Sequence, residues 1–133
     1  MKTILLAVFI FALAAIAACQ TATTDESAGE IKQISVERAN ADLTQKPDAQ
    51  FIDVRTAAEY ASGHAAGAKY FPLDALENDL GKLDRNKPVY VICQTGRRSQ
   101  KGAEILRKAG FRDIFNVGGG TSAWTAANLP TEK

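Results

Sequence analysis

The chain has 133 residues, with 16 Lys and Arg against 15 Asp and Glu, for a formal net charge of +1. That length is one domain's worth of sequence. A charge so evenly balanced gives no footing for nucleic acid, so any cationic character has to be local.

Residues 1–18 read as a removable leader. Lys2 supplies a positive start, and Ile4 to Ala18 is an unbroken run of apolar residues and alanines, too short to span a bilayer comfortably. Small residues then lead into a cysteine, Ile16-Ala17-Ala18-Cys19, an ending that resembles the bacterial lipobox, in which the cysteine becomes the lipid-bearing first residue. Cys19 is therefore expected to be the lipidation site, holding the domain on the periplasmic side of a bacterial membrane. Gln20 follows it rather than the aspartate that resembles an inner-membrane retention signal, which tilts the expectation toward the outer membrane. Cleavage by ordinary signal peptidase would instead give a soluble periplasmic protein, and an uncut leader a short anchor. Removing Lys2 leaves 15 basic and 15 acidic residues. Residues 19–29 are Thr, Ala, Ser and acidic residues without periodicity, and they read as a flexible tether. Residues 30–133 form the domain.

Within the domain, strands alternate with helices. Ile31–Ile34 reads as a first strand. Ser35 caps a helix carrying Val36, Ala39, Ala41 and Leu43, and Lys46-Pro47-Asp48 is a turn. Phe51–Val54 is a buried strand ending near Arg55. Thr56 and Glu59 have capping-box spacing and open a helix of about two turns closed by Gly63. His64–Ala68 is a turn, and Lys69–Phe71 a short strand stopped by Pro72. Asp74 is expected to cap a helix bearing Leu76, Leu80 and Leu83. A turn at residues 84–88 leads into the Val89–Ile92 strand. A helix then runs from Ser99 to a C-cap at Gly110. Asp113–Val117 is a strand, Gly118–Gly120 a turn, and Thr121 the cap of a last helix with Trp124 on its inner face. This alternation predicts an α/β fold with a mainly parallel sheet covered on both faces.

The sharpest chemical signal is Cys93. It ends the apolar Val89–Ile92 run and is followed by Gln94-Thr95-Gly96-Arg97-Arg98-Ser99. A cysteine at the carboxyl end of a strand, before a loop and a helix, faces the positive end of the helix dipole with loop N–H groups free to point at it. That setting favours a thiolate. A lone cysteine in an apolar run is by default structural. Cys93 departs from that default because it sits at the edge of the run beside two arginines. With Cys19 assigned to lipid it also lacks a disulfide partner, in a compartment that oxidises thiols.

Three segments together resemble a rhodanese domain. They are Asp53-Val54-Arg55 with Glu59-Tyr60, Gly63-His64 and Gly67-Ala68; then Cys93 to Ser99; then Val117-Gly118-Gly119 with Trp124. The likeness spans about residues 30–130 and is nearest to small single-domain periplasmic members. Ala65-Ala66 stands where many members have Ile-Pro, and a proline is missing from the tail of the third motif.

The resemblance implies a central, mainly parallel five-stranded sheet and a thiosulfate sulfurtransferase-like activity, with Cys93 as catalytic nucleophile and no cofactor or metal. The N–H groups of Gln94, Thr95, Gly96, Arg97, Arg98 and Ser99 would cradle the persulfide. Arg98, with Arg97 as the alternative, would hold an anionic donor. Ser99 is expected as a helix cap. Asp53, Arg55, Glu59 and His64 are expected to be structural near the site, Asp53 and Arg55 pairing with each other or with Glu59. The partners are a small anionic donor such as thiosulfate and a thiophilic acceptor such as cyanide or a thiol, acting on a monomer. Arg98 is the sixth residue counted from Cys93, as in sulfurtransferase loops, whereas cysteine phosphatases need five residues between Cys and Arg. A phosphatase is therefore the weaker reading. A non-catalytic binding or sulfur-carrier module is the other alternative, weakened by the complete loop.

Overall fold

The computed structural model describes residues 29–133. The expected leader, Cys19 and nearly all of the tether lie outside the described residues.

Among the described residues, seven strands and five α-helices follow in the order β1 (Glu30–Ile34), α1 (Val36–Gln45), β2 (Gln50–Asp53), α2 (Ala57–Ser62), β3 (His64–Ala65), β4 (Lys69–Tyr70), α3 (Leu76–Asp79), β5 (Val89–Ile92), α4 (Arg97–Lys108), β6 (Asp113–Val117), α5 (Gly120–Ala126) and β7 (Thr131–Glu132). The main sheet has the order β1-β6-β5-β2-β4, and each of its pairings is parallel. β3 and β7 form a separate antiparallel pair. The expected α/β fold with a five-stranded parallel sheet is thus the observed one.

Side chains alternate across the sheet, as the two-residue strand period requires. Phe51, Tyr90, Ile92, Phe115 and Val117 face α1 and α5, meeting Val36, Ala39 and Trp124. Ile52, Val54, Val89, Val91 and Ile114 face α3 and α4, meeting Leu76, Ala103, Leu106 and Phe111. β5 lies at the centre with all four residues buried, which explains why its sequence is continuously apolar. Cys93 follows directly, on the α4 side of the sheet.

Several helix ends differ from expectation. α4 begins at Arg97, not Ser99; its N-cap is Gly96 in the left-handed region at φ 99°. α5 has Gly119 as N-cap, φ 77°, with Thr121 already inside the helix. In both places backbone geometry open to glycine does what a side-chain cap was expected to do. Asp74 caps nothing: α3 starts after Ala75 without a side-chain cap and lasts one turn, Leu80–Lys82 continuing as a 3-10 turn. The Ser35 and Thr56 caps form as expected, and Glu59 closes the capping box.

Leu106 is fully buried between α4 and the sheet. Leu106→Ala is expected to lower unfolding stability by about 3 kcal/mol in a denaturant titration, from lost transfer energy plus the cavity left behind.

Candidate active site

The site forms where β5 ends and α4 begins. Cys93 is 1% exposed, and its Sγ accepts the Gly96 N–H at 3.0 Å and lies 3.3 Å from the Ser99 hydroxyl. Burial alone raises the thiol's pKa. The Ser99 hydroxyl and the backbone N–H groups of Ser99, Thr95 and Gly96 outweigh it, so the Cys93 pKa lies below that of an ordinary thiol. Gly96 makes the turn possible: its positive φ swings the loop so that successive amides converge on one sulfur. Ser99 therefore has a different place from the one expected. It is buried in the first turn of α4 as a partner of the thiol.

The glycine turn after β6 supports this loop from behind. Thr121 N–H donates to the Cys93 carbonyl at 2.8 Å and Ser122 N–H to the Gln94 carbonyl at 3.1 Å. The Thr121 hydroxyl also donates to the Cys93 carbonyl. A Cβ on Gly120 would come within 2.4 Å of the Cys93 carbonyl oxygen, so only glycine allows the two backbones to approach this closely. Asn116, buried on β6, adds a contact from its Nδ2 to the Gly96 carbonyl at 3.3 Å, while its Oδ1 has no partner among the described residues. Sequence reasoning took Gly118–Gly120 as a turn and passed over Asn116. Their links to the Cys93 loop run across 20 residues or more and carry no local signal.

The Gln94 side chain is fixed on both sides. Its Oε1 accepts from Arg55 at 3.1 Å and its Nε2 donates to Ser122 at 2.8 Å. Arg55 pairs with Asp53 through Nε and Nη2 at 2.8–3.0 Å and also donates to the Gly63 carbonyl. Both members of that ion pair are buried. Asp53 and Arg55 thus pair with each other, one of the two arrangements expected.

Glu59 pairs elsewhere. Its two oxygens receive both terminal nitrogens of Arg98, at 2.7 and 2.8 Å. The Arg98 fork, together with the Thr56 contacts, holds the Glu59 carboxyl down to about 2, so the pair stays ionised far below neutral pH. Two of the five N–H donors of Arg98, the residue expected to hold an anionic donor, thus go to a carboxylate. Arg97 is exposed at the start of α4 and makes no ion pair or side-chain hydrogen bond among the described residues. Thr95 is exposed at the loop tip. His64 is buried away from the sulfur. Its ring stacks on Tyr60 at 3.7 Å, with Nδ1 3.0 Å from the Tyr60 carbonyl and Nε2 3.6 Å from Glu132. Among the described residues no three His, Cys, Asp or Glu side chains group closely enough to hold a metal ion.

A cysteine sulfur facing backbone amides at a strand-to-helix turn, at the carboxyl end of a parallel sheet, is the distinguishing feature of this α/β domain. Comparison with known proteins narrows this. The family model of the Rhodanese-like domain matches residues 35–127. The thiosulfate sulfurtransferase GlpE of Shewanella oneidensis is 34% identical over 86 residues, covering 65% of this chain and 85% of that enzyme. GlpE of Pseudomonas putida is 33% identical over 97 residues, covering 73% and 87%. YrkF of Bacillus subtilis is 33% identical over 102 residues; the chain spans 55% of YrkF's length, and 60% of that of YqhL from the same organism. Among solved structures, the rhodanese-like domain of Anabaena Alr3790 superposes with a TM-score of 0.70 at 28% identity, covering 75% of this chain and 77% of that one. A rhodanese-like domain protein from Staphylococcus aureus gives 0.65 at 35%, covering 70% and 90%. The chain belongs to the rhodanese-like family.

Thiolate ultraviolet absorbance, with Cys93→Ser as blank, is expected to titrate with a midpoint below that of a free thiol. Ser99→Ala is expected to move that midpoint upward, because it removes the hydroxyl that favours the charged form while leaving the burial that opposes it.

Proposed function

We propose that the protein is a sulfurtransferase that moves sulfane sulfur from thiosulfate or a similar donor to a thiophilic acceptor through a persulfide on Cys93. The observation that carries this reading is the convergence of amide N–H groups and the Ser99 hydroxyl on one buried sulfur that has no cysteine partner among the described residues. The Cys93 thiolate attacks the outer sulfur of the donor. The donor's sulfur–sulfur bond breaks, its electron pair leaves with sulfite, and the outer sulfur stays on the enzyme. In the second step the electron pair of cyanide or a thiolate attacks that outer sulfur and returns the Cys93 thiolate.

Both steps place negative charge near Sγ, where preset amides stabilise it without reorganising. The Ser99 hydroxyl and the loop amides favour the charged form of the nucleophile, which is the task a general base would otherwise serve. His64, buried against Tyr60, has no part in the transfer. The GlpE relatives carry the name thiosulfate sulfurtransferase, which supports the reaction class. Counting Cys93 as the first residue, Arg98 is the sixth, a loop length that resembles sulfurtransferases rather than cysteine phosphatases.

We infer further that Cys19 is the lipidated first residue of the mature protein, and that the domain works on the periplasmic side of a bacterial membrane, tethered by residues 19–29. The support is the Lys2, apolar-run and Ala-Ala-Cys order of the leader.

Intact mass after incubation with thiosulfate should rise by one sulfur atom and fall back on adding cyanide. Cys93→Ser should show no gain, and a wild-type protein that never gains sulfur from any sulfane donor overturns the reading. For the anchor, mass analysis of the protein recovered from membranes is expected to show a lipid-modified Cys19 at the N-terminus. A free, unmodified residue there rules the anchor out.

A further inference from the structure

Gly96 has to be held in place from outside. Glycine adopts positive and negative φ with similar ease, so nothing in the residue itself selects the turn at φ 99° that aims its N–H at the sulfur. α4 has no side-chain cap to fix its first turn either. The restraint falls to the other polar group of Gly96, its carbonyl. That oxygen accepts the backbone N–H of Gln100 and the Asn116 Nδ2, each at 3.3 Å.

Asn116 is 3% exposed and lies in register between Gln33 of β1 and Val91 of β5. Its Nδ2 faces the Gly96 carbonyl, the Gln33 Oε1 at 2.8 Å and the Gln100 Oε1 at 3.1 Å. The Gly96 carbonyl is backbone and can only accept, which fixes the amide with its nitrogen on that side. Its Oδ1 is then left buried with no partner among the described residues. An unpartnered buried amide oxygen is costly, and an apolar side chain such as Ile114, two residues earlier on the same face of β6, avoids that cost. The use of the amide therefore lies on its nitrogen side.

We infer that Asn116 is a positioning residue: from β6 it holds the Gly96 carbonyl, and so keeps the Gly96 N–H directed at the Cys93 sulfur. Both polar groups of Gly96 are then anchored, the N–H on Sγ at 3.0 Å and the carbonyl on β6. With the carbonyl released, the glycine turn relaxes, the N–H drifts off the sulfur and the thiolate loses a donor. The charged groups around the loop are Arg97 and Arg98 of α4, Glu59 of α2 and the Asp53–Arg55 pair at the end of β2. All of them keep their charges when Asn116 is changed. The inference rests on the sulfur-transfer reading for its purpose, not for its test.

The test follows the rate of Cys93 alkylation by iodoacetamide against pH in the full chain, read by mass on the peptide that carries Cys93 so that Cys19 does not interfere. Asn116→Ala should raise the midpoint by about half a pH unit, as expected for the loss of one weak hydrogen bond. Alkylation should then be about threefold slower below the midpoint and return to at least the wild-type plateau above it, because only ionisation is affected. Gln33→Ala separates this role from a purely structural tie between strands. It removes a competing acceptor and leaves the two N–H bonds of Nδ2 to Gly96 and Gln100, so the midpoint should stay or fall. An unmoved midpoint in Asn116→Ala, a plateau that stays below wild type, or an equal rise in Gln33→Ala overturns the proposal. Should Asn116→Ala not fold, the wild-type side chain decides by nuclear magnetic resonance. Its Nδ2 protons should exchange slowly with water and shift in step with the alkylation midpoint; protons that exchange freely, or ignore that midpoint, overturn the proposal equally. Alkylation needs no sulfur donor, so failure of the sulfur-transfer reading shows separately, as a Cys93 that never gains sulfur.

Discussion

Turning a run of backbone N–H groups inward onto one sulfur turns the matching carbonyls outward, and a buried carbonyl without a partner costs free energy. Much of the site follows from that constraint. The Cys93 and Gln94 carbonyls are received by Thr121 and Ser122 at the start of α5, and the Gly96 carbonyl by Asn116 on β6. The glycine turn between β6 and α5 lets this second segment come close enough to donate. The cradle is thus built from two loops, one aimed at the sulfur and the other satisfying the first.

Charge is arranged with the same economy. Asp53 and Arg55 form a buried pair whose remaining donors extend to Gln94 and Gly63, so the end of β2, the cysteine loop and the end of α2 share one guanidinium. Removing either partner would leave an uncompensated buried charge, which is far more costly than the intact pair is stabilising. The Glu59–Arg98 pair, about one-third exposed, is screened by water and contributes less to folding. It ties the first turn of α4 to α2, beside the Cys93 loop.

Local features were readable from the sequence, and distant pairings were not. β5 shows as a β-branched run, α2 as a Thr–Glu capping box and α4 as helical spacing after a polar loop, because each signal lies within a few residues. The order of strands and helices was enough for the parallel sheet. Ser99, Thr121 and Asp74 were all read as caps from residue preference. Gly96 and Gly119 took over two of those places by adopting positive φ, and α3 began without any side-chain cap. Glu59 and Arg98 are 39 residues apart, and Cys93 and Thr121 are 28 apart. Nothing in either segment alone announces its partner, so the fate of the Arg98 fork and the purpose of Gly120 became visible only when the sheet brought them together.

Because the five strands of the main sheet run in one direction, Glu30 at the start of β1 and Cys93 just past β5 sit at opposite ends of it. The strand rise puts about 16 Å of sheet between those levels. Held from its amino-terminal side, the domain presents its sulfur on the far pole. A bulky acceptor can approach that pole without brushing whatever surface holds the other.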